Sequence, residues 1–431
     1  MRPRLRLRLW SQAVPIAFPH EFFRRSKRWP LRMKVLDLAK PVSGSGRRGA
    51  WRERIDAWRD GLMTSPGFHR WAADNLLTRW ITRRRAAQVF DLMAGFVYSQ
   101  VLLACVRLRI FETVSEAPRT LEELAQICQV PASALQRLLS SAKALRLLEL
   151  RGEGRYGLGP LGAPVAGLPG IRAMIEHHAV FYQDMQDPVA LLRDELGKGQ
   201  MAAYWPYASD ETHLTAADLA ARQAQKTWQS ENVARYSQLM SSSQPFVVDE
   251  VLATYDFDKH QCVLDVGGGQ GTFVGRLAYH SPHLNLQLFD LPQVAALAQQ
   301  NLNQNGLSAR ANAFGGDFLR DALPSGSDLI TLVRVAHDHP DDHVNTILRA
   351  IYKALPLGGT LLLAEPMAQP SNEPPLGDAY FHFYLLAMGA GRLRTTDELT
   401  TMMVNAGFAE VKLLKNPLPL QTRILVAQKA K

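Results

Sequence analysis

Short apolar runs alternate with amphipathic stretches through residues 246–431. An apolar run of 4 to 8 residues between turn signals is typical of a buried strand, and a longer stretch of period 3.6 predicts a helix. One such helix is Val344–Ala354, which Pro356 and two glycines follow. The predicted strands end at Asp265 and Asp290 or span Asp328–Val333, Thr360–Glu365, Ala409–Leu414 and Arg423–Ala427. This alternation predicts an α/β, Rossmann-like domain with a mostly parallel sheet, closed by an antiparallel pair.

Residues 87–165 have a different pattern, that of a helical module ending in a hairpin. Thr120 and Glu123 have capping-box spacing at the start of one helix, and Ser133 is predicted to cap the next. A strand–turn–strand follows between Leu147 and Leu158. This winged-helix pattern fits either DNA binding or a packing and dimerisation module. Dimerisation is favoured, because the second helix offers only Gln136, Arg137 and Lys143 to read bases and residues 87–431 carry 28 Lys/Arg against 34 Asp/Glu.

Residues 166–245 are predicted to form a helical connector. Its aromatic residues could line a substrate pocket or belong to the core, which is the commoner fate of a buried aromatic ring. They are Phe181, Tyr182, Tyr204, Trp205 and Tyr207.

Length and composition narrow the class of protein. A chain of 431 residues with 47% hydrophobic and 21% charged residues fits a globular protein of two to three domains and excludes fibrous or disordered chains. The longest uncharged apolar run in the N-terminal half, Ala94–Val106, is shorter than the roughly 18 residues that span a bilayer. Three scattered cysteines exclude a disulfide framework and predict a reducing compartment.

Charge is concentrated at one end of the chain. The net charge is +9, yet residues 1–86 contain 21 Lys/Arg, 6 Asp/Glu and six of the eight tryptophans. Helical spacing of Trp51, Ile55 and Trp58 predicts helices between residues 51 and 85. Tryptophan interleaved with basic residues is typical of a lipid interface. Residues 1–86, the basic arm, could equally pack on the protein body or on a second subunit. Binding to nucleic acid is disfavoured.

The glycine-rich segment after the first predicted strand has the pattern Asp-x-Gly-x-Gly-x-Gly, formed by Asp265, Gly267, Gly269 and Gly271. A phosphate loop would need a Lys-Ser/Thr pair after it, and a nicotinamide fingerprint would need glycine at the position of Thr272. An adenosylmethionine site fits in full, because an acid before the glycines suits the cofactor's ammonium group. A structural turn without a cofactor is the competing interpretation.

Two further acids follow later strands. Asp290 ends the next strand, where a carboxylate can accept the two ribose hydroxyls, and Asp317 follows the third strand, where a polar residue can contact the adenine. Together with the glycine loop they predict a cofactor site along the carboxyl edge of the sheet.

Three histidines, His337, His339 and His343, follow the strand that ends near Val333. Metal binding, a structural role and general-base catalysis are the alternatives, and the base is favoured because a hydroxyl is a poor nucleophile at neutral pH. His337 lies nearest the strand end, and Glu365 at the tip of the next strand could orient its imidazole.

These motifs together resemble those of the small-molecule O-methyltransferases that carry a winged-helix-like dimerisation domain, over about residues 87–431. The motifs occupy 265–271, 290–292, 315–318 and 334–338. The resemblance implies a homodimer and metal-independent catalysis, with His337 as base, Glu365 as its support and Asp338 in the same motif. It also implies cofactor contacts from Gly316, Asp317, Phe318 and Arg334, and from Met240 and Ser243.

The chain departs from that family at two positions. A second supporting acid of plant members falls on Leu393, in the run Gly391-Arg-Leu-Arg-Thr395, and the tryptophan usual after His-Asp is His339. We therefore expect the base to have one carboxylate partner.

Within the family, residues 65–71, 83–86 and 90–106 resemble the carotenoid O-methyltransferases of purple phototrophic bacteria. This implies methylation of a terminal tertiary hydroxyl of an acyclic carotenoid in a cytoplasmic enzyme, peripheral on the inner or intracytoplasmic membrane. The helix Tyr380–Met388 is apolar and aromatic enough to line a polyene channel, and core packing explains its composition equally well. Two alternatives remain open: a phenolic or quinone-like substrate, and a winged-helix regulator that senses adenosylmethionine. A sensor has no obvious use for His337 and Glu365.

Overall fold

The computed structural model describes residues 47–197, 199–204, 244, 247–369, 377–417 and 422–430. The chain divides into two compact units, Met1–Val97 and Tyr98–Lys431. Met240, Ser243, Trp205, Tyr207 and the first 46 residues of the basic arm lie outside the described part.

The described part of the first unit is helical, as predicted. Ser65 caps the second helix by accepting a hydrogen bond from the Phe68 amide, and Pro66 occupies its first turn. The helices are α1 (Arg47–Met63), α2 (Pro66–Asp74) and the first part of α3 (Arg79–Arg107). On α1, Trp51 and Trp58 are 67% and 51% exposed, so the apolar face predicted from their spacing is on the surface.

Helix α3 corrects one expectation. It is 29 residues long and, by length and composition alone, apolar enough to cross a membrane; it is the one such helix in the described ranges. The uncharged run Ala94–Val106 is shorter than this apolar stretch, because the helix continues through Asp91, so the expectation that no segment is long enough was wrong. Little of its apolar stretch is buried, unlike the core helix of a soluble protein.

The second unit begins with the helical module and hairpin. The capping box of Thr120 and Glu123 is confirmed. Ser133 is not a cap, because Pro131, whose ring fixes φ at −53°, stands at the N-cap and the helix begins at Ala132. The elements are α4 (Ile110–Glu116), α5 (Leu121–Cys128), α6 (Ala132–Ala144), β1 (Leu148–Leu150), β2 (Tyr156–Leu158), α7 (Gly162–Gly167), α8 (Pro169–Asp184), α9 (Pro188–Leu192) and α10 (Gln200–Tyr204). Strands β1 and β2 pair antiparallel, which confirms the hairpin.

A seven-stranded sheet forms the rest of this unit, in the order β5-β4-β3-β6-β7-β9-β8. Its strands are β3 (Cys262–Val266), β4 (Asn285–Asp290), β5 (Ala311–Gly315), β6 (Leu329–Val333), β7 (Thr360–Glu365), β8 (Ala409–Leu414) and β9 (Arg423–Gln428). All pairs are parallel except β7–β9 and β8–β9, so the predicted fold class and antiparallel edge are confirmed.

Helices cover both faces of the sheet, because successive strand residues point to opposite sides. Val263 packs with Phe273 and Leu277 on one face, and Leu264 packs with Ile347 and Met403 on the other. The helices are α11 (Thr272–His280), α12 (Pro292–Gln304), α13 (Asp341–Ala354), α14 (Asp378–Met388) and α15 (Thr396–Asn405). The chain order reverses between β3 and β6, which is the switch point where open α/β sheets bind ligands.

Candidate active site

The glycine loop lies at this switch point, directly after β3. Gly267 has φ +70° and donates its amide hydrogen bond to the Phe289 carbonyl at 2.8 Å. A Cβ at Gly267 would lie 2.7 Å from Val335 Cγ2, so both the backbone conformation and the close approach require glycine. Gly271, at φ +83°, begins α11.

Asp265 is a buried carboxylate under this loop. Its Oδ1 accepts a 2.7 Å hydrogen bond from Thr331 Oγ1, but Oδ2 has no partner among the described residues. Burial raises the pKa of Asp265 to about 7, and the charge of Asp290 adds to the effect. A buried carboxylate oxygen without a partner is costly, and a cationic group would satisfy it. Asp265 therefore fits the ammonium group of adenosylmethionine, as the sequence predicts.

Asp290 ends β4 beside the loop. Its Oδ2 accepts a 2.8 Å hydrogen bond from the Gly269 amide, and its Oδ1 accepts a 2.7 Å bond from the Leu291 amide. Two backbone donors fix the carboxylate at the same rim as Asp265. The ribose contact stays a prediction.

The third predicted contact is more local than expected. Asp317 Oδ1 accepts a hydrogen bond from the Leu319 amide at 2.9 Å, and Oδ2 lies 3.5 Å from Arg320 Nε. Gly316 lies against Phe289, since a Cβ there would be 2.5 Å from the ring. The carboxylate of Asp317 thus stabilises its own turn, and its adenine contact stays a prediction.

The histidine motif begins where β6 ends. Arg334 has φ +57°, and residues Ala336–Asp338 form a 3₁₀ turn that carries His337. His337 Nδ1 lies 2.5 Å from Glu365 Oε2. The other carboxylate oxygen, Glu365 Oε1, accepts hydrogen bonds from the amides of Val335 and Ala336 at 2.8 and 2.7 Å. One glutamate therefore orients both the imidazole and the backbone of the turn.

His337 has a second carboxylate neighbour, which corrects the expectation of a single partner. Its Nε2 lies 3.2 Å from Asp338 Oδ1. Burial alone would lower the pKa of His337, but the charges of Asp338 and Glu365 outweigh it and raise the pKa above 6.5, with Arg334 opposing them. Burial raises the pKa of Asp338 to about 6, and the charge of Glu365 raises it as well.

The other two histidines are separate from this pair. His339 packs edge-on against Phe318 at 5.4 Å, and burial lowers its pKa to about 4. Its ring lies 6.0 Å from that of His343. Among the described residues, no group of three His, Cys, Asp or Glu side chains has the arrangement of a metal site.

Two features of the site were not predicted. Arg394 is 2% exposed and donates hydrogen bonds to the carbonyls of Ala336 and His339 at 2.8 and 2.7 Å. Its run, 391–395, was noted in the sequence only for the acid that it lacks. The second feature is a pair of buried contacts between α8 and α14, in which His177 and His178 bond to tyrosines of α14.

A Rossmann-like sheet with a glycine loop, a carboxylate at the next strand end and a His–Glu pair across the switch point defines an adenosylmethionine-dependent methyltransferase. Comparisons with known proteins identify the family. Residues 199–409 match the model of the O-methyltransferase domain, and residues 90–164 match that of the O-methyltransferase dimerisation domain.

The chain belongs to this O-methyltransferase family. It is 38% identical over 335 residues to demethylspheroidene O-methyltransferase of Cereibacter sphaeroides, covering 78% of this chain and 85% of that relative. The enzyme of the same name from Rhodobacter capsulatus is also 38% identical, over 81% of this chain and 84% of that protein. Human N-acetylserotonin methyltransferase, solved with adenosylmethionine, has a TM-score of 0.64 at 23% identity, covers 80% and 98% of the two chains, and supports the fold alone.

Proposed function

We propose that this enzyme methylates the terminal tertiary hydroxyl of an acyclic carotenoid, with His337 as the general base. The observation that carries the proposal is the 38% identity, over about four-fifths of the chain, to two enzymes named for demethylspheroidene. The His337–Glu365 pair at the switch point supplies the chemistry that such a transfer needs.

His337 takes the hydroxyl proton in this mechanism. Nε2 is the atom available to the substrate, because Nδ1 is held by Glu365 at 2.5 Å. Protonation gives an imidazolium between two carboxylates, Glu365 and Asp338, and their charge stabilises it. Since Asp338 lies 3.2 Å from Nε2, the substrate hydroxyl must share or replace that contact. Proton removal by a positioned base is worth about 100- to 10,000-fold in rate.

Asp265, Asp290 and the glycine loop would hold the cofactor. Bound adenosylmethionine supplies an electrophilic methyl group on a sulfonium centre. The substrate hydroxyl would accept that methyl group, and His337 would take the hydroxyl proton. Holding oxygen and methyl at contact distance removes several kcal/mol from the barrier, on the order of 7 or more for a well-oriented pair.

The residues packed around α14 suit an apolar substrate. Tyr380 and Tyr384 stack at 5.4 Å, and Phe181 packs edge-on against Tyr384 at 5.6 Å. Both tyrosine hydroxyls form hydrogen bonds with histidine Nε2 atoms: Tyr384 with His177 at 3.1 Å, and Tyr380 with His178 at 2.8 Å. Because both hydroxyls are already bonded, this cluster offers an apolar surface, which suits a polyene better than a polar phenol. Burial raises the pKa of Tyr384, and the charges of Arg334 and Asp338 also act on it, so the cluster lies within electrostatic range of the histidine motif.

Helices α1–α3 support a contact with an anionic membrane surface. Trp51, Trp58 and Trp80 are more than half exposed, and Arg83, Arg84 and Arg85 follow on α3. Indoles favour the interface, and each basic residue near an anionic surface contributes roughly 1 kcal/mol. A peripheral enzyme could then take a substrate that lives in lipid.

A second copy of the chain is the proposed partner of the apolar residues further along α3. Phe90, Leu92 and Phe96 are 56%, 84% and 72% exposed, and the dimerisation model begins at residue 90. The homodimer would cover these side chains.

The direct test is to incubate the purified protein with adenosylmethionine and a hydroxylated acyclic carotenoid in lipid vesicles, and to look for an added methyl by mass spectrometry. A phenol and a quinol serve as matched substrates. Carotenoid methylation that disappears in His337→Gln is expected. Methylation of the phenol or quinol alone would discard the carotenoid, and no methylation with intact cofactor binding would discard all three substrates.

Sedimentation with vesicles tests the membrane contact. We expect binding to phosphatidylglycerol vesicles that weakens with salt and with Trp51→Ala and Trp58→Ala together. Tyr279→Ala, which removes a similarly exposed ring of the second unit, is the control. Equal binding by all variants would contradict the tryptophan contact.

A further inference from the structure

The turn that carries His337 is held on two sides. On one side, Glu365 accepts hydrogen bonds from two amides of the turn, those of Val335 and Ala336. On the other side, Arg394 donates hydrogen bonds to two carbonyls of the turn, those of Ala336 and His339. The donors and acceptors of one short turn are thus satisfied by two ionisable side chains of opposite charge.

Arg394 reaches the turn with its whole guanidinium. Nη1 donates to the Ala336 carbonyl at 2.8 Å, and Nη2 donates to the His339 carbonyl at 2.7 Å. Asp341 Oδ1 accepts from Nη2 at 2.7 Å and from Nε at 2.9 Å. The two carbonyls bracket His337 in the chain, so Arg394 fixes both ends of its turn.

Gly391 places this side chain. It has φ +79°, and a Cβ there would lie 2.1 Å from the His337 carbonyl oxygen and 2.8 Å from Asp338 Cα. The backbone of residue 391 is therefore in van der Waals contact with the turn itself. A side chain at this position would push the turn and its imidazole away.

We propose that Gly391 and Arg394 are positioning residues, which set the place of the His337 imidazole relative to the reacting hydroxyl. This proposal rests on the proposed role of His337 as base. Neither residue touches the reacting atoms; each acts through the turn. A misplacement of about 1 Å in such a group can reduce turnover about 100-fold.

The planar fork of arginine is what the geometry requires. Lysine has one ammonium and cannot reach two carbonyls and a carboxylate at fixed angles. Arg392 offers the matched contrast: it lies in the same loop and pairs with the same Asp341 at 2.9 Å, but its side chain is 42% exposed. Its guanidinium does not contact the carbonyls of the turn.

Four variants of the full-length enzyme test the proposal: Arg394→Met, Arg394→Lys, Asp341→Asn and, as control, Arg392→Met. Turnover with the hydroxylated carotenoid is measured against pH, and adenosylmethionine affinity is measured by calorimetry. Both Arg394 variants are expected to lower kcat by about 10- to 100-fold with unchanged cofactor affinity. Asp341 is half exposed, so we expect the Asp341→Asn protein to fold even if an Arg394 variant does not. Asp341→Asn should lower kcat by a few-fold.

The pH profile distinguishes positioning from general damage. The charges acting on His337 are Asp338 and Glu365, which raise its pKa, and Arg334, which lowers it. A loosened turn lengthens the carboxylate contacts, so the acidic limb of kcat should move to lower pH in Arg394→Lys but not in Arg392→Met.

The proposal is overturned if Asp341→Asn and Arg394→Lys both match Arg392→Met in kcat and pH profile. His337→Gln separates this failure from that of the proposed base. Full turnover in His337→Gln would remove the base itself, whereas lost turnover there with normal Arg394 variants would remove only the positioning role.

Discussion

The two halves of the site are built in different ways, although they meet at one switch point. The proposed cofactor half uses backbone amides, glycines and strand-end acids of β3 and β4, as in the Gly269–Asp290 hydrogen bond. The proposed catalytic half combines side chains from three separate segments: His337, Glu365 and Arg394. The cofactor half is therefore a property of local backbone shape, and the catalytic half is a property of the folded sheet.

The largest expected effect is in the catalytic half. His337→Ala should reduce kcat at least about 100-fold. Among the described residues at the switch point, no other imidazole lies between two carboxylates. Adenosylmethionine affinity should stay nearly unchanged, since the side chain of His337 contacts the carboxylates of Glu365 and Asp338. Steady-state kinetics and calorimetry measure the two quantities.

His339→Ala is the matched control, because that ring packs on Phe318 and its pKa is lowered to about 4 by burial. The pH profile of the wild-type enzyme gives a second test, the direction in which turnover changes with pH. The base works in its neutral form and its pKa is raised, so turnover should fall with decreasing pH through a value above 6.5. Equal losses in both histidine variants would contradict the comparison.

Glu365→Gln should have an effect close to that of His337→Ala. Glu365 Oε1 accepts two backbone hydrogen bonds, so the amide oxygen of glutamine must take that place and its NH₂ must face His337 Nδ1. The ring is then forced to carry its proton on Nε2, where it cannot accept one from the substrate. A wrong tautomer of this kind costs about 10,000-fold in serine proteases, and we expect at least about 100-fold here. Near-normal kcat would show that Glu365 supports only the backbone.

This difference also explains which parts could be predicted from the sequence. The sheet, its antiparallel edge and the glycine loop follow from local periodicity and turn chemistry, and they are confirmed. Asp338 is named as a catalytic residue from the motif, but its contact with His337 Nε2 is not predicted, because that contact depends on the bend of a 3₁₀ turn. Arg394 was missed because its contact with Ala336 joins residues 58 apart in the chain, which no local pattern reveals.

One contact between the two halves, that of Gly267 with Val335, offers a smaller but sharper test. Gly267→Ala would place a methyl 2.7 Å from Val335 Cγ2, and Val335 donates to Glu365. The φ of +70° adds about 1–2 kcal/mol of strain. We expect about tenfold losses in both kcat and cofactor affinity.

Val335→Ala in the same chain should restore part of the loss, because it removes the clash but not the strain. A double-mutant cycle measured by kinetics and calorimetry gives the coupling. Additive effects of the two changes would show that the halves are independent.

The smallest effect is expected in the cofactor half, at Asp290. Asp290→Ala removes the acceptor of the Gly269 and Leu291 amides, and we expect adenosylmethionine affinity to fall about tenfold with little change in kcat at saturation. Asp290→Asn keeps an acceptor for the Gly269 amide but loses the carboxylate oxygen that accepts from the Leu291 amide. Normal binding in Asp290→Asn would contradict a ribose contact made by both carboxylate oxygens, whereas weakened binding there with an unchanged free energy of unfolding would support that contact. Asp256→Ala is the control, because its exposed carboxylate also accepts from a backbone amide, that of Asp258, before β3 begins.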